Sequence, residues 1–190
     1  MRILCTYRRR SDVAAVLSLL HHTDGVHVEQ RVTKKEAEDG AASLTITADD
    51  GEVEVISGSH SMLVFAGRLT RVWPSDSLLC AKVDEFIEME RELLTDAAIS
   101  PRRTLDWFVQ LRVPRVLAKL ETSLSATGWL GEFDRPTAAD FCWVERLKWL
   151  LLTFDIDMAP FPALEEYMQR DLTCSSVASG GVDADADDAT

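Results

Sequence analysis

The sequence predicts two units, a small α/β unit over residues 1–72 and an all-helical unit over residues 76–172. Three observations predict this. Segments with strand and helix spacing alternate up to a hairpin signal at Asp50-Gly51. Every segment after Trp73-Pro74 has helical spacing. Thr137-Ala138-Ala139-Asp140 is a helix-start signal ahead of an apolar run.

Arg2 to Thr6 reads as the first strand. Ser11 stands at an N-cap position, ahead of Val13, Ala14, Val16, Leu17 and Leu20 at helical spacing. Gly25 closes that helix, and Val26 to Val32 alternates apolar and polar residues as a half-buried strand does. Leu44 to Thr47 and Glu52 to Ile56 flank Ala48-Asp49-Asp50-Gly51, where glycine supplies the positive φ of a hairpin turn. A helix then runs from Ser59 through Leu69. The order βαβ, hairpin, helix is that of a thioredoxin-like domain. Leu4, Ile46, Val55 and Leu63 are its expected core.

Beyond Trp73-Pro74, Asp76 or Ser77 can cap a helix carrying Leu79, Val83, Phe86, Ile87, Glu90 and Leu94 at helical spacing. Its Glu-rich run from Glu85 to Glu92 reads as an exposed face. Pro101 opens a longer stretch with Leu105, Phe108, Val116, Leu117, Leu120 and Leu124 on one side, which Pro114 should kink or interrupt. In the helix from Thr137 to about Thr153, the Thr137 hydroxyl and the Asp140 carboxylate form a reciprocal cap. Phe141, Leu147 and Leu150 are expected in the core, and Trp107, Trp129, Trp143 and Trp149 fall at core-like positions. A last helix starts near Pro162.

The totals exclude several classes. The chain has 190 residues, 46% of them hydrophobic and 27% charged, and no apolar run approaches the roughly 20 residues of a membrane span. The opening residues are too short an apolar stretch for a signal peptide, so the chain reads as cytoplasmic. The four cysteines, Cys5, Cys80, Cys142 and Cys174, form no close pair, and His21-His22 points two ways; no metal site or disulfide framework is expected. A net charge of -12 opposes general nucleic-acid binding. Residues 173–190 are acidic and of low complexity, and are expected to form a disordered tail.

Gly131 followed by Thr137-Ala138-Ala139-Asp140-Phe141 resembles the signature before the core helix of the second domain of the glutathione transferase superfamily. Ser59-His60-Ser61-Met62-Leu63-Val64-Phe65-Ala66 resembles its helix-three motif, whose Ser binds the γ-glutamyl carboxylate of glutathione in enzymes. Trp73-Pro74 with Ala81-Lys82-Val83-Asp84 resembles the linker and next helix, and Pro160-Phe161-Pro162-Ala163-Leu164 a late helix start. The resemblance spans nearly all of residues 1–171.

As an enzyme of that family, the chain would use Tyr7 to stabilise the glutathione thiolate, with Ser59 and Arg10 as ligand contacts. Several features depart from that pattern. Arg8-Arg9-Arg10 directly follows Tyr7, which also reads as a core or strand-end residue; no Pro precedes Pro74; the segment between the second and third strands is short; and Gly58 precedes Ser59, which then reads as an N-cap. These departures resemble the non-catalytic transferase-like domains of aminoacyl-tRNA synthetases and their associated scaffold and elongation-factor proteins. Leu117 to Leu124 and Ala138 to Trp143 carry that resemblance. It implies no cofactor, a role as an interaction module for other domains of this fold, and Arg68, Arg71 and Arg146 as contact points. A glutathione or related thiol transferase is the alternative.

Overall fold

The computed structural model describes residues 1–7, 13–21, 23–32, 42–99, 105–170 and 172. The expectations for Arg8 to Ser11, Pro101 and the acidic tail lie outside the described residues.

Strands β1 (Arg2–Tyr7), β2 (His27–Val32), β3 (Ser43–Thr47) and β4 (Val53–Ser57) form one sheet in the order β2-β1-β3-β4. β1 runs parallel to β2 and antiparallel to β3, and β3 and β4 make the hairpin. Ala48 and Gly51 close its turn, with Gly51 at φ 89. Helices α1 (Ala14–His21) and α2 (Ser59–Leu69) pack together and on the sheet. α1 stops at His21, short of Gly25, whose φ of 74 turns the chain into β2.

Strand alternation sets which side chains the helices cover. Ile3, Cys5 and Tyr7 share the covered face with Leu44 and are buried. Leu4 pairs with Thr45, and Thr45 with Val55, so these three belong to the opposite face. Leu4 is therefore only half-buried and Val55 is 60% exposed, against the expectation that both lie in the core. Ile46 is on the covered face but half-buried, beside Glu54 of β4. β2, the edge strand next to β1 among the described residues, is almost wholly exposed rather than half-buried.

α3 (Ser77–Ile99) is capped by Asp76, whose Oδ1 accepts the N–H groups of Leu78 and Leu79 at 2.9 and 3.0 Å. Next come α4 (Leu105–Trp107), a π-helical segment (Phe108–Arg112) and α5 (Val113–Thr127), with no break at Pro114. Proline lacks an N–H and crowds the carbonyl one turn back. The widened π turn before it accommodates the misfit, with Pro114 in the first turn of α5. Trp107 is 48% exposed, not core. α5 ends at Gly128, whose φ of 81 suits the left-handed cap and whose N–H reaches the Leu124 carbonyl.

α6 (Ala138–Thr153) is the central helix, burying Phe141, Trp143, Leu147 and Leu150. Thr137 and Asp140 form its capping box; Asp140 Oδ2 takes the Thr137 N–H at 2.7 Å and its hydroxyl at 3.0 Å. α7 (Pro162–Met168) packs on α5 and α6. The Ala138 N–H bonds the Val72 carbonyl, and Trp73 is buried where the chain passes from α2 to α3. No described helix is long and apolar enough to cross a membrane.

Candidate functional site

Helices α1, α2, α3 and α6 enclose a cleft of about 520 Å³. Its apolar wall comes from Val13 and Val16, from Leu63 of α2, from Ile87 and Leu94 of α3, and from Trp149 and Leu152 of α6. The i, i+3 and i+4 spacing of α3 and α6 places these residues on facing sides. Leu152, 88% exposed, stands at the margin.

The floor is polar. Glu90 of α3 and Arg146 of α6 are both buried and paired: Nε and Nη2 of Arg146 lie 2.6 and 2.5 Å from Glu90 Oε1. The guanidinium sits over the Trp149 ring, 5.2 Å from its centroid. Burial raises the Glu90 carboxyl above its ordinary range, while Arg146 pulls it back. One turn earlier, Trp143 Nε1 donates to the Phe86 carbonyl at 2.9 Å, a second tie between α3 and α6. Cys142 also lines the cleft; burial drives its thiol far upward, with Glu90 and Asp140 adding to the effect, so it stays protonated at neutral pH.

The expected site residues divide. Ser59 lines the cleft but is exposed, and it is not the cap of α2: Gly58 holds the N-cap position at φ 90, and no side chain caps the helix. Tyr7 does not line the cleft. β1 extends one residue past Thr6, which puts Tyr7 in register with Ile3 and Cys5 inside the core. Its hydroxyl donates to Gln30 Oε1 at 2.9 Å, and Gln30 Nε2 lies 2.8 Å from His21 Nε2. Arg10 lies outside the described residues.

Arg68 is exposed on α2, and Arg71 is exposed just past it with φ 61. Arg146 is not a surface contact point, because its charge is spent inward on Glu90. Glu90 in turn is no part of an exposed acidic face. The sequence carried a signal for the burial of Glu90, which stands on the same helical stripe as Val83, Ile87 and Leu94, and none for its partner. Among the described residues no group of three or more His, Cys, Asp or Glu side chains could hold a metal ion.

A second surface is the outer face of α2 with β4. Ile56, Val64, Phe65 and Leu69 are half-buried there, with Arg68 and Ser61 exposed beside them.

No protein-family profile and no curated protein matches the sequence. Solved structures do. A Pi-class glutathione S-transferase of Onchocerca volvulus is 20% identical, with 94% of this chain and 91% of that chain covered and a TM-score of 0.75. A sigma-class transferase of Fasciola hepatica is 16% identical over 93% of each chain, at a TM-score of 0.77. A maleylacetoacetate isomerase of Anaeromyxobacter dehalogenans, solved with dicarboxyethyl glutathione and citrate in its active site, is 19% identical over 88% and 84%, at 0.63. With its four-stranded mixed sheet, α1 and α2 on one face and the helices from α3 onward around α6, the chain adopts the glutathione S-transferase fold, a thioredoxin-like unit joined to an all-helical one.

Proposed function

We propose that the chain is a non-catalytic association module that docks through the α2–β4 face onto another domain of the same fold, or onto a second copy of itself. The observation that carries this reading is the apolar patch of Ile56, Val64, Phe65 and Leu69 with Arg68 at its edge, the aromatic, aliphatic and Arg composition that interface centres favour. The engagement of the Tyr7 hydroxyl by Gln30, away from the cleft, supports a non-catalytic role. The partner we favour is a transferase-like domain of an aminoacyl-tRNA synthetase or elongation-factor assembly. Support for that comes from the resemblance of Leu117 to Leu124 and Ala138 to Trp143.

Sedimentation of the purified chain, alone and mixed with such a domain, tests the reading. A complex is expected from the wild type, and Phe65→Glu and Arg68→Glu should weaken it at least about tenfold, the scale of one interface contact worth 1.4 kcal/mol. A wild-type chain that stays monomeric in every mixture overturns it.

A second reading, a transferase for glutathione or a related thiol, is favoured by the cleft with Ser59 at its edge and by the glutathione conjugate bound in the isomerase of like fold. Calorimetry with reduced glutathione decides between the two. Saturable binding together with thiol conjugation that Tyr7→Phe abolishes selects the enzyme.

A further inference from the structure

β2 is an edge strand whose one neighbour among the described residues is β1. The outer side of such a strand carries a row of backbone donors and acceptors, a template for another strand. Proteins guard these edges with proline, lysine, a bulge or a very short strand. β2 has none of these: its six residues, from His27 to Val32, pair with β1 in unbroken register. All but the half-buried Val28 are exposed, Val32 at 58%. The two acid–base charges of the strand, Glu29 and Arg31, have opposite signs, share one face and have no ion-pair partner among the described residues.

These features select a second copy of β2. Antiparallel strands oppose residues whose backbone groups point the same way, and such residues alternate along a strand. A two-fold pairing of β2 with itself must therefore be centred on a residue rather than between two. A centre on Glu29 or Arg31 sets a charge against its own copy, and a centre on Val28 overlaps only His27 to Glu29. A centre on Gln30 overlaps Val28 to Val32. It opposes Glu29 to Arg31 of the second copy and Val28 to Val32, each pair occurring twice, and both kinds of cross-strand pair are favourable. Gln30 itself, on the axis, is uncharged, and its side chain is held within its own chain by Tyr7 and His21. β4, at the other end of the sheet, carries the single charge Glu54, and no register gives it an opposite partner.

We propose that two copies of the chain pair through β2, antiparallel and centred on Gln30, joining their four-stranded sheets into one. The contact is isologous, so it closes at a dimer and leaves neither β2 edge free. A strand this short buries little surface, which makes the dimer weak and reversible. The contact is separate from the α2–β4 face, because β2 and β4 stand at opposite ends of the sheet.

Sedimentation of the full chain carrying Phe65→Glu, at up to about 1 mM, reads this contact with the α2–β4 face disabled. Self-association is expected. Adding Glu29→Arg or Arg31→Glu to that chain should weaken it at least about tenfold, because each change sets like charges against each other at two places. An equimolar mixture of those two variants should associate again as a heterodimer, since each chain then supplies the charge that the other lacks. The double change Glu29→Arg/Arg31→Glu should restore the homodimer. Amide exchange in β2 should slow as the concentration rises, while that in β4 stays the same. A Phe65→Glu chain that remains monomeric at about 1 mM, single charge variants that associate as tightly as their parent, or a mixture of the two that remains monomeric overturns the proposal. Failure here leaves the α2–β4 reading standing, since that is tested with Phe65 intact and a second domain present.

Discussion

Two nitrogens of Arg146 share a single oxygen of Glu90, at 2.6 and 2.5 Å, joining α6 to α3 at the floor of the cleft. Removing one partner leaves the other charge buried and unpaired. Arg146→Met should therefore cost about 3–5 kcal/mol, while Glu90→Leu/Arg146→Met should lie near the wild type or above it. The pH dependence has a definite sign. Burial raises Glu90 and Arg146 opposes the rise, so without Arg146 the folded-state pKa lies further above the unfolded value. Stability from a raised carboxyl is present in acid and lost as pH rises through the folded pKa. Urea denaturation of Arg146→Met should show the smallest deficit in acid and the largest at neutral pH.

Asp140 is fully buried and accepts from four donors: the Leu130 N–H at 3.0 Å, the Thr137 N–H and hydroxyl, and the Tyr167 hydroxyl at 3.1 Å. Burial outweighs the donors and pushes its carboxyl up to about 6. The folded state is thus favoured by protonated Asp140 below about pH 4, the unfolded value, and that advantage is lost as pH rises to 6. Asp140→Asn cannot titrate, so the stability difference between wild type and variant should shrink between pH 4 and 6 and then level off. A difference that grows over this interval would contradict the assignment. Thr137→Ala should cost about 1 kcal/mol in the same assay.

Glu121 of α5 caps another helix. Its two carboxylate oxygens each accept one N–H at the start of α7, from Ala163 and Leu164, both at 2.8 Å. The charge also suits the helix N-terminus. Glu121→Ala should cost about 1–2 kcal/mol, and hydrogen exchange should show α7 opening more readily than α6.

Arg71 holds a left-handed conformation, φ 61, with its N–H on the Arg68 carbonyl as α2 ends. A side chain at this φ costs about 1–2 kcal/mol, which glycine avoids at an entropy cost of about 0.5–1 kcal/mol. Arg71→Gly should therefore stabilise the chain by a few tenths to about 1 kcal/mol, seen as a raised Tm.

Periodicity and helix-start signals alone determined most of the element order, the hairpin at Asp50-Gly51 and the capping box at Thr137 and Asp140, because these depend on residues within a few positions of one another. Which strand face became core was decided in three dimensions. Leu4 and Val55 alternate as well as Ile3 and Cys5 do, and only the placement of α1 and α2 selects between the two sets. The cleft was less legible still. Tyr7 shares the pattern of a residue that reaches a ligand, yet one further residue of β1 turns its hydroxyl to Gln30. Glu90 and Arg146 are 56 positions apart and each reads as a surface charge. Their pairing exists only because α3 and α6 lie side by side, and no local pattern records which charge a distant helix will bring against another.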